Sequence, residues 1–226
     1  MRRSGSSKFD VRSSRKKNAG RPATNLEHRT SNDASLVFAT RWGWMGLAAS
    51  ARGVRTIVLA KPSRHAVERA LAQRPCLRSE VRGWRRNEGG NPSCATRLRA
   101  TAPFGAQVRH VLREARRQLT RYLAGRSRTL EFPIDLSGGT SFQRRVWQAA
   151  RRIPYGRARS YHWIASKVGG KEYARAVGTA LGANPLPLIV PCHRVVAHDG
   201  SLGGFSCGLA VKRKLLDLEG TLALLK

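Results

Sequence analysis

The apolar side chains of this chain fall in short runs whose spacing changes along its length. Residues 1–33 hold almost no large apolar side chains and are rich in Ser, Arg, Lys and Asn, so the sequence predicts a disordered basic tail there. From Ser35 onward, residues 36–40, 45–49 and 54–59 are apolar runs separated by glycine-bearing turns, which predicts a small antiparallel meander. Pro62-Ser63 opens a helix to about Gln73, with Ala66, Ala70 and Leu71 about a turn apart and Ser63 as its cap. Residues 74–104 carry Pro75, Gly83, Gly89, Gly90, Pro92 and Pro103 and read as a long loop. A clearer helix runs over about 105–123, with Val108, Val111, Leu112, Ala115, Leu119 and Tyr122 on one face and arginines on the other.

The run 130–136 reads as a strand, and Ser137-Gly138-Gly139 as a domain boundary. A helix over 141–152 places Phe142, Val146, Trp147 and Ala150 on one side, and Pro154-Tyr155-Gly156 then turns the chain. Two shorter helices, about 160–168 and 172–181, meet across Gly169-Gly170-Lys171 in helix-turn-helix proportions. The fold class that follows is α/β. A small N-terminal sheet-and-helix domain over 34–136 precedes a mostly helical C-terminal domain over 140–221 containing a helix-turn-helix.

The formal net charge is +30 and the pI near 11.7. The tail supplies only +6 of this, so the folded part carries most of the excess. Such an imbalance fits a polyanionic partner, nucleic acid above all, although an arginine-rich coding sequence would produce the same excess. Cys76, Cys94, Cys192 and Cys207 show neither a Cys-x-x-Cys pair nor zinc-ligand spacing, which predicts reduced, intracellular thiols and no metal site. Residues 176–193 lack any Asp, Glu, Lys or Arg, yet Asn184, Pro185, Pro187 and Pro191 interrupt them, so a buried turn is expected there and no membrane span.

Chemistry concentrates in residues 188–196, where Cys192 and His193 stand between apolar flanks. A free thiol is only slightly ionised at neutral pH, so a nucleophilic Cys192 needs a base or a cation close by, and His193 and Arg194 are the neighbours able to supply them. If the segment is extended, adjacent side chains point apart, which favours a water relay between the two over a direct hydrogen bond. The second helix of the pair is small-faced, with Ala174, Ala176, Gly178 and Ala180 around the single cation Arg175. Such a face either packs on a neighbouring helix or lies close against a ligand.

Asn184-Pro185, Pro191-Cys192-His193-Arg194-Val195, Gly208-Leu209 and Glu219-Gly220 together resemble the O6-alkylguanine-DNA alkyltransferase family, densely over 141–220 and more loosely over 35–136. The resemblance implies irreversible, single-turnover transfer of an alkyl group from guanine O6 in double-stranded DNA to Cys192. It implies His193 as the base acting through water, Glu219 as the carboxylate orienting it, Tyr161 as the donor to guanine N3, and Asn184 as the shaper of the active-site turn. It further assigns Arg175 to fill the stack vacated by a flipped base, with Ala174 and Gly178 on a helix laid in the minor groove. The Ser206 backbone N–H would approach O6, and the carbonyls of Cys192 and Val195 would accept from the guanine amino group. Arg151, Arg152, Arg157 and Arg159 are candidates for phosphate contacts. Phe205 and Cys207 depart from the pattern of some relatives at the expected pocket wall.

No cofactor, metal or membrane partner is expected, and the protein is expected to act as a monomer in the cytoplasm, or in the nucleus of a eukaryote. Two rivals remain. One is a non-catalytic alkyltransferase-like lesion binder, a class that replaces the reactive cysteine. The other is a Cys-His hydrolase, which would turn over repeatedly.

Overall fold

The computed structural model describes residues 34–73 and 103–225. The tail over 1–33 and most of the expected loop over 74–104 lie outside the described residues. Three strands, β1 (Ala34–Thr40), β2 (Gly43–Ser50) and β3 (Gly53–Lys61), form the antiparallel meander in the order β1-β2-β3. Each turn between them is two residues long, with Thr40 paired to Gly43 and Ser50 to Gly53.

The central strand β2 is buried on both faces, because a helix covers each. Met45, Leu47, Ala49, Val54, Ile57 and Leu59 share a core with helix α2 (Pro103–Leu123). Ala48 and Val58 on the other face pack with Val67 and Leu71 of α1 (Arg64–Gln73). Gly46 permits this second contact: a Cβ there would lie 2.4 Å from Val67 Cγ1. The arginine-bearing face of α2 is turned outward while Val108, Val111, Leu112, Ala115, Leu119 and Tyr122 are buried, as the periodicity requires.

Residues 130–136 do not form the expected strand. Pro133 has no N–H to extend a ladder, and only an isolated parallel bridge between Val54 and Ile134 forms, with Val54 N donating to Pro133 O and Asp135 N to Val54 O, both at 2.8 Å. The outer edge of β3 is tied further along, where Ile57 N donates to Pro185 O at 2.8 Å. The meander is therefore fastened directly to the segment that begins at Asn184.

Helix α3 (Ser141–Arg151) starts at a capping box in which Gln143 N donates to Thr140 Oγ1 and Thr140 N to Gln143 Oε1. Its Trp147 donates from Nε1 to Ala180 O at 2.8 Å, clamping it to the helical pair. That pair is α4 (Tyr161–Val168), capped by Ser160, and α5 (Ala174–Gly182). The expected start at Glu172 is instead a 3-10 turn, Lys171–Tyr173, which leads into α5. Two residues before α4, β4 (Arg159–Ser160), pair in parallel with β5 (Val195–Val196) just after the Cys192 segment. Helix α6 (Leu209–Leu218) follows, with Glu219 at its C-terminal cap. The main hydrophobic core runs without interruption from Phe38 and Leu47 through Tyr122 and Trp147 to Val190 and Leu215. No helix of the described residues is long and apolar enough to cross a membrane.

Gly53 bears directly on this arrangement. Its φ is +136°, and a Cβ would sit 2.3 Å from the Pro133 carbonyl, against backbone that cannot rotate away. Gly53→Ala is expected to destabilise the protein by about 1–3 kcal/mol, measured by urea unfolding. An unchanged midpoint would show that the β3 edge does not depend on this close approach.

Candidate active site

The segment from Asn184 to Val196 is a sequence of tight turns held by buried apolar anchors. Leu186 and Val190 are fully buried, and Leu188 between them is held at φ 78°, an uncommon conformation for a side chain of its size. Asn184 organises the turn from inside. Its Oδ1 accepts from Leu186 N at 2.9 Å, and its Nδ2 donates to Val190 O at 2.9 Å and to Cys192 Sγ at 3.0 Å. Cys192, His193 and Arg194 form one turn of 3-10 helix, which replaces the extended segment expected from the sequence.

Burial pushes the Cys192 thiol up to about 11, with the Asn184 donor and the Lys212 charge pulling the other way. At that value only about one thiol in ten thousand is ionised at pH 7, so the resting group is the thiol and its proton must leave as it reacts. His193 is fully buried, and its Nε2 lies 2.7 Å from Glu219 Oε1. A carboxylate cannot donate, so Nε2 carries the hydrogen and Nδ1 holds the lone pair. Nδ1 is buried and has no partner among the described residues. Burial lowers the pKa of this imidazole, so it is neutral and able to accept a proton.

Glu219 is buried, which by itself would favour its neutral form. Donors from His193 and Arg194 outweigh that, and hold the carboxyl at about 2. Arg194 Nε donates to Oε2 at 2.8 Å and Nη2 to Oε1 at 3.1 Å, while Nη1 donates to Ile153 O at 2.7 Å. Tyr122 adds its hydroxyl to Oε1 and itself accepts from Arg194 Nη2 at 3.2 Å. The sequence offered Arg194 as the cation beside the thiol; the structure gives it to Glu219 instead. A buried guanidinium requires a carboxylate partner, and Glu219 is the one within reach.

The cation whose field does favour the thiolate is Lys212, which sequence reasoning missed. It is fully buried, with its pKa lowered to about 8 by desolvation. Its Nζ donates to Val195 O at 2.6 Å, to Gly204 O at 3.2 Å and to Leu202 O, tying β5 to the loop opposite. The available signal was a lone lysine on the buried face of α6, in line with Leu215 and Leu216.

Cys192 lies on the wall of a cavity of about 310 Å3 that is lined also by Tyr161, Gly178, Leu181, Gly182, Gly204, Phe205 and Ser206. Tyr161 is half-buried and donates to Gly204 O at 3.3 Å. Glycine at 203 leaves room for this ring, since a Cβ there would come within 3.0 Å of it. Of the other predicted residues, Asn184 touches the thiol directly, His193 follows it in the same 3-10 turn with Glu219 bonded to its ring, and Gly178 lines the cavity. The Val195 carbonyl already receives Lys212. Arg175 is exposed on α5 and Ala174 half-buried beside it, outside the cavity lining. Cys207 is half-buried and, like Phe205, packs against the main core, but it is not among the lining residues. Among the described residues no cluster of three or more His, Cys, Asp or Glu is arranged to hold a metal ion.

Residues 141–221 match the model of the 6-O-methylguanine DNA methyltransferase DNA-binding domain. A methylated-DNA–protein-cysteine methyltransferase of Methanosarcina acetivorans is 46% identical over 109 residues, which are 48% of this chain and 69% of that protein. The chain belongs to the methylated-DNA–protein-cysteine methyltransferase family. A Mycobacterium bovis member is 50% identical over 102 residues, 45% of this chain and 61% of its own length, so the matched stretch spans about three-fifths to two-thirds of these relatives. Among solved structures, Mycobacterium tuberculosis OGT in complex with DNA superposes with a TM-score of 0.58 at 33% identity, covering 83% of this chain and 93% of that one. The family's methyltransferase from Pyrococcus kodakaraensis gives 0.55 at 25% identity, covering 83% and 99%. Both superpositions cover more of this chain than the matched segment 141–221 does.

The charge network sets a pH dependence. The folded pKa of His193 lies below the ordinary 6.5, so its contribution to stability is complete above that value and is lost as pH falls through the lowered one. Glu219, lowered from 4.5 to about 2, adds a second loss at lower pH. The melting temperature should therefore be flat near neutrality and begin to fall below about pH 6.5, and His193→Gln should remove the first part of that decline. A wild-type curve that stays flat to pH 5 would contradict a neutral, buried His193.

Proposed function

We propose that the chain repairs O6-alkylguanine in double-stranded DNA by moving the alkyl group irreversibly, once per molecule, onto Sγ of Cys192. The observation that carries this reading is a buried thiol on the wall of a base-sized cavity, with a neutral imidazole next to it held by an ionised carboxylate. In the step, a bond forms between Sγ and the alkyl carbon while the carbon–O6 bond breaks, and its electron pair goes to the purine. The thiol proton passes through water to His193 Nδ1, and Tyr161 donates to guanine N3, so that the purine leaves neutral once the protons have redistributed. The product is a thioether, which neither ionises nor hydrolyses, so the protein is consumed. Asn184 contributes by steadying the sulfur as its charge develops.

A base within a duplex cannot present O6 to a thiol this deep, so the nucleotide must be flipped at a cost of a few kcal/mol. We assign Arg175 to the vacated stack and the small residues Ala174 and Gly178 to the close approach of α5 in the minor groove. The Ser206 N–H would face O6. The Cys192 and Val195 carbonyls would accept from the guanine amino group, each through the lone pair not already engaged. On this reading the C-terminal domain over 140–221 holds the alkyl acceptor and the DNA contacts, and the N-terminal domain over 34–136 supports it. The exposed Arg151, Arg152, Arg157 and Arg159 would meet phosphates. The protein would act as a monomer, wherever the cell keeps its DNA.

Incubation with an oligonucleotide carrying O6-methylguanine should add about 14 Da, one methylene, to the peptide containing Cys192 and saturate at one equivalent. Absence of any adduct sinks this reading, and so does mass gained beyond one equivalent on other peptides. Cys192→Ala should abolish transfer while retaining DNA binding. Arg175→Ala should slow repair of the duplex by about tenfold or more while leaving transfer from free O6-benzylguanine nearly unchanged; equal loss in both assays would rule out a flipping role.

A further inference from the structure

We infer that Tyr122, carried by α2 outside the matched segment 141–221, is a positioning residue for the alkyl transfer, and that its hydroxyl sets the basicity of His193 through Glu219. This rests on the reading of Cys192 as the acceptor and His193 as its base.

Tyr122 is almost completely buried and reaches across from the N-terminal part into the charge network. Its hydroxyl donates to Glu219 Oε1, the same oxygen that faces His193 Nε2 at 2.7 Å. Oε2 is occupied separately, by Arg194 Nε at 2.8 Å and Gly156 N at 3.4 Å. Arg194 Nη2 also reaches Oε1, at 3.1 Å, so three donors share one carboxylate oxygen and each draws charge away from the others. A lone carboxylate would pull strongly on the Nε2 hydrogen and make the ring more basic; one already engaged by a phenol pulls less. The remaining ionisable groups acting on the imidazole are Arg194 from its own turn and Lys212 from α6. The two cations oppose its protonation. Around Tyr122 itself stand Glu219, Arg194 and the ring of Tyr155, packed edge-on at 5.9 Å. Burial and the adjacent carboxylate raise the pKa of Tyr122 well above the ordinary phenol range, so it remains a donor throughout the working pH.

A phenylalanine would fill the same space and make the same contact with Tyr155. The hydroxyl is thus unnecessary for packing, and a buried hydroxyl is costly unless it is bonded. Here it is bonded at both ends, to groups that the transfer uses.

Tyr122→Phe tests this with two independent measurements. Nitrogen NMR of the imidazoles, followed from pH 4 to 8, should show the His193 pKa rising by about half to one pH unit in the variant. Single-turnover transfer from O6-benzylguanine should have its acid limb displaced by the same amount, slowing about 3–10-fold at pH values below the wild-type His193 pKa and recovering by pH 8. Tyr155→Phe is the control from the same cluster, because its hydroxyl donates to Leu218 O and not to Glu219; it should leave the His193 titration in place. An unmoved His193 titration in Tyr122→Phe overturns the inference. So does a slowing that is equal at every pH and accompanied by a lower melting temperature, which would mark the tyrosine as merely structural. Failure of the wild type to transfer would refute the parent reading alone, since the NMR titration does not depend on turnover.

Discussion

A single buried carboxylate organises this protein. Glu219 collects the Tyr122 hydroxyl, the Nε2 hydrogen of His193 and the guanidinium of Arg194, which bring together α2, the Cys192 turn and the end of α6. None of these groups could be buried alone without a penalty of several kcal/mol, so each requires the others. Their mutual dependence fixes the tautomer of His193, and with it the nitrogen that remains available to take a proton. On the proposed reading, tertiary structure and reactivity rest on the same four side chains.

The thiol is managed in a different way. Nothing ionises it beforehand: burial keeps it protonated, and Asn184 and Lys212 offer only partial compensation. That fits a nucleophile whose proton departs during the reaction, and it guards a reactive group against encounters other than the intended one. Lys212 performs a second task by joining the carbonyls of Val195, Leu202 and Gly204, so that β5 and the 202–204 loop share one anchor.

Much of this could be read from the chain, and the failures have identifiable causes. The meander, α2 and the helical pair follow from apolar spacing, and Cys192, His193, Asn184, Tyr161 and Glu219 from a dense motif. The strand expected over 130–136 was lost to Pro133, whose missing N–H a hydropathy pattern does not register. Arg194 was assigned to the thiol because sequence adjacency was the available clue, whereas direction within a 3-10 turn is a property of the fold. Tyr122 read as one more apolar position on a helix face, since periodicity is blind to where a hydroxyl ends. Lys212 was concealed in the same way, by a charged side chain standing on an otherwise apolar stripe.

The internal neutralisation of Glu219 has a consequence for how this chain evolves. The surface carries most of a net charge of +30, yet His193 and Glu219 are buried where carboxylate and guanidinium cancel locally. Exposed charges act there only through a screened, distant field. Arginines can therefore accumulate or vanish on the outside, under pressure from base composition or from affinity for a polyanion, without retuning the imidazole. Exterior and interior are free to drift at different rates, and a lineage can change how tightly it holds its target while inheriting the reaction unaltered.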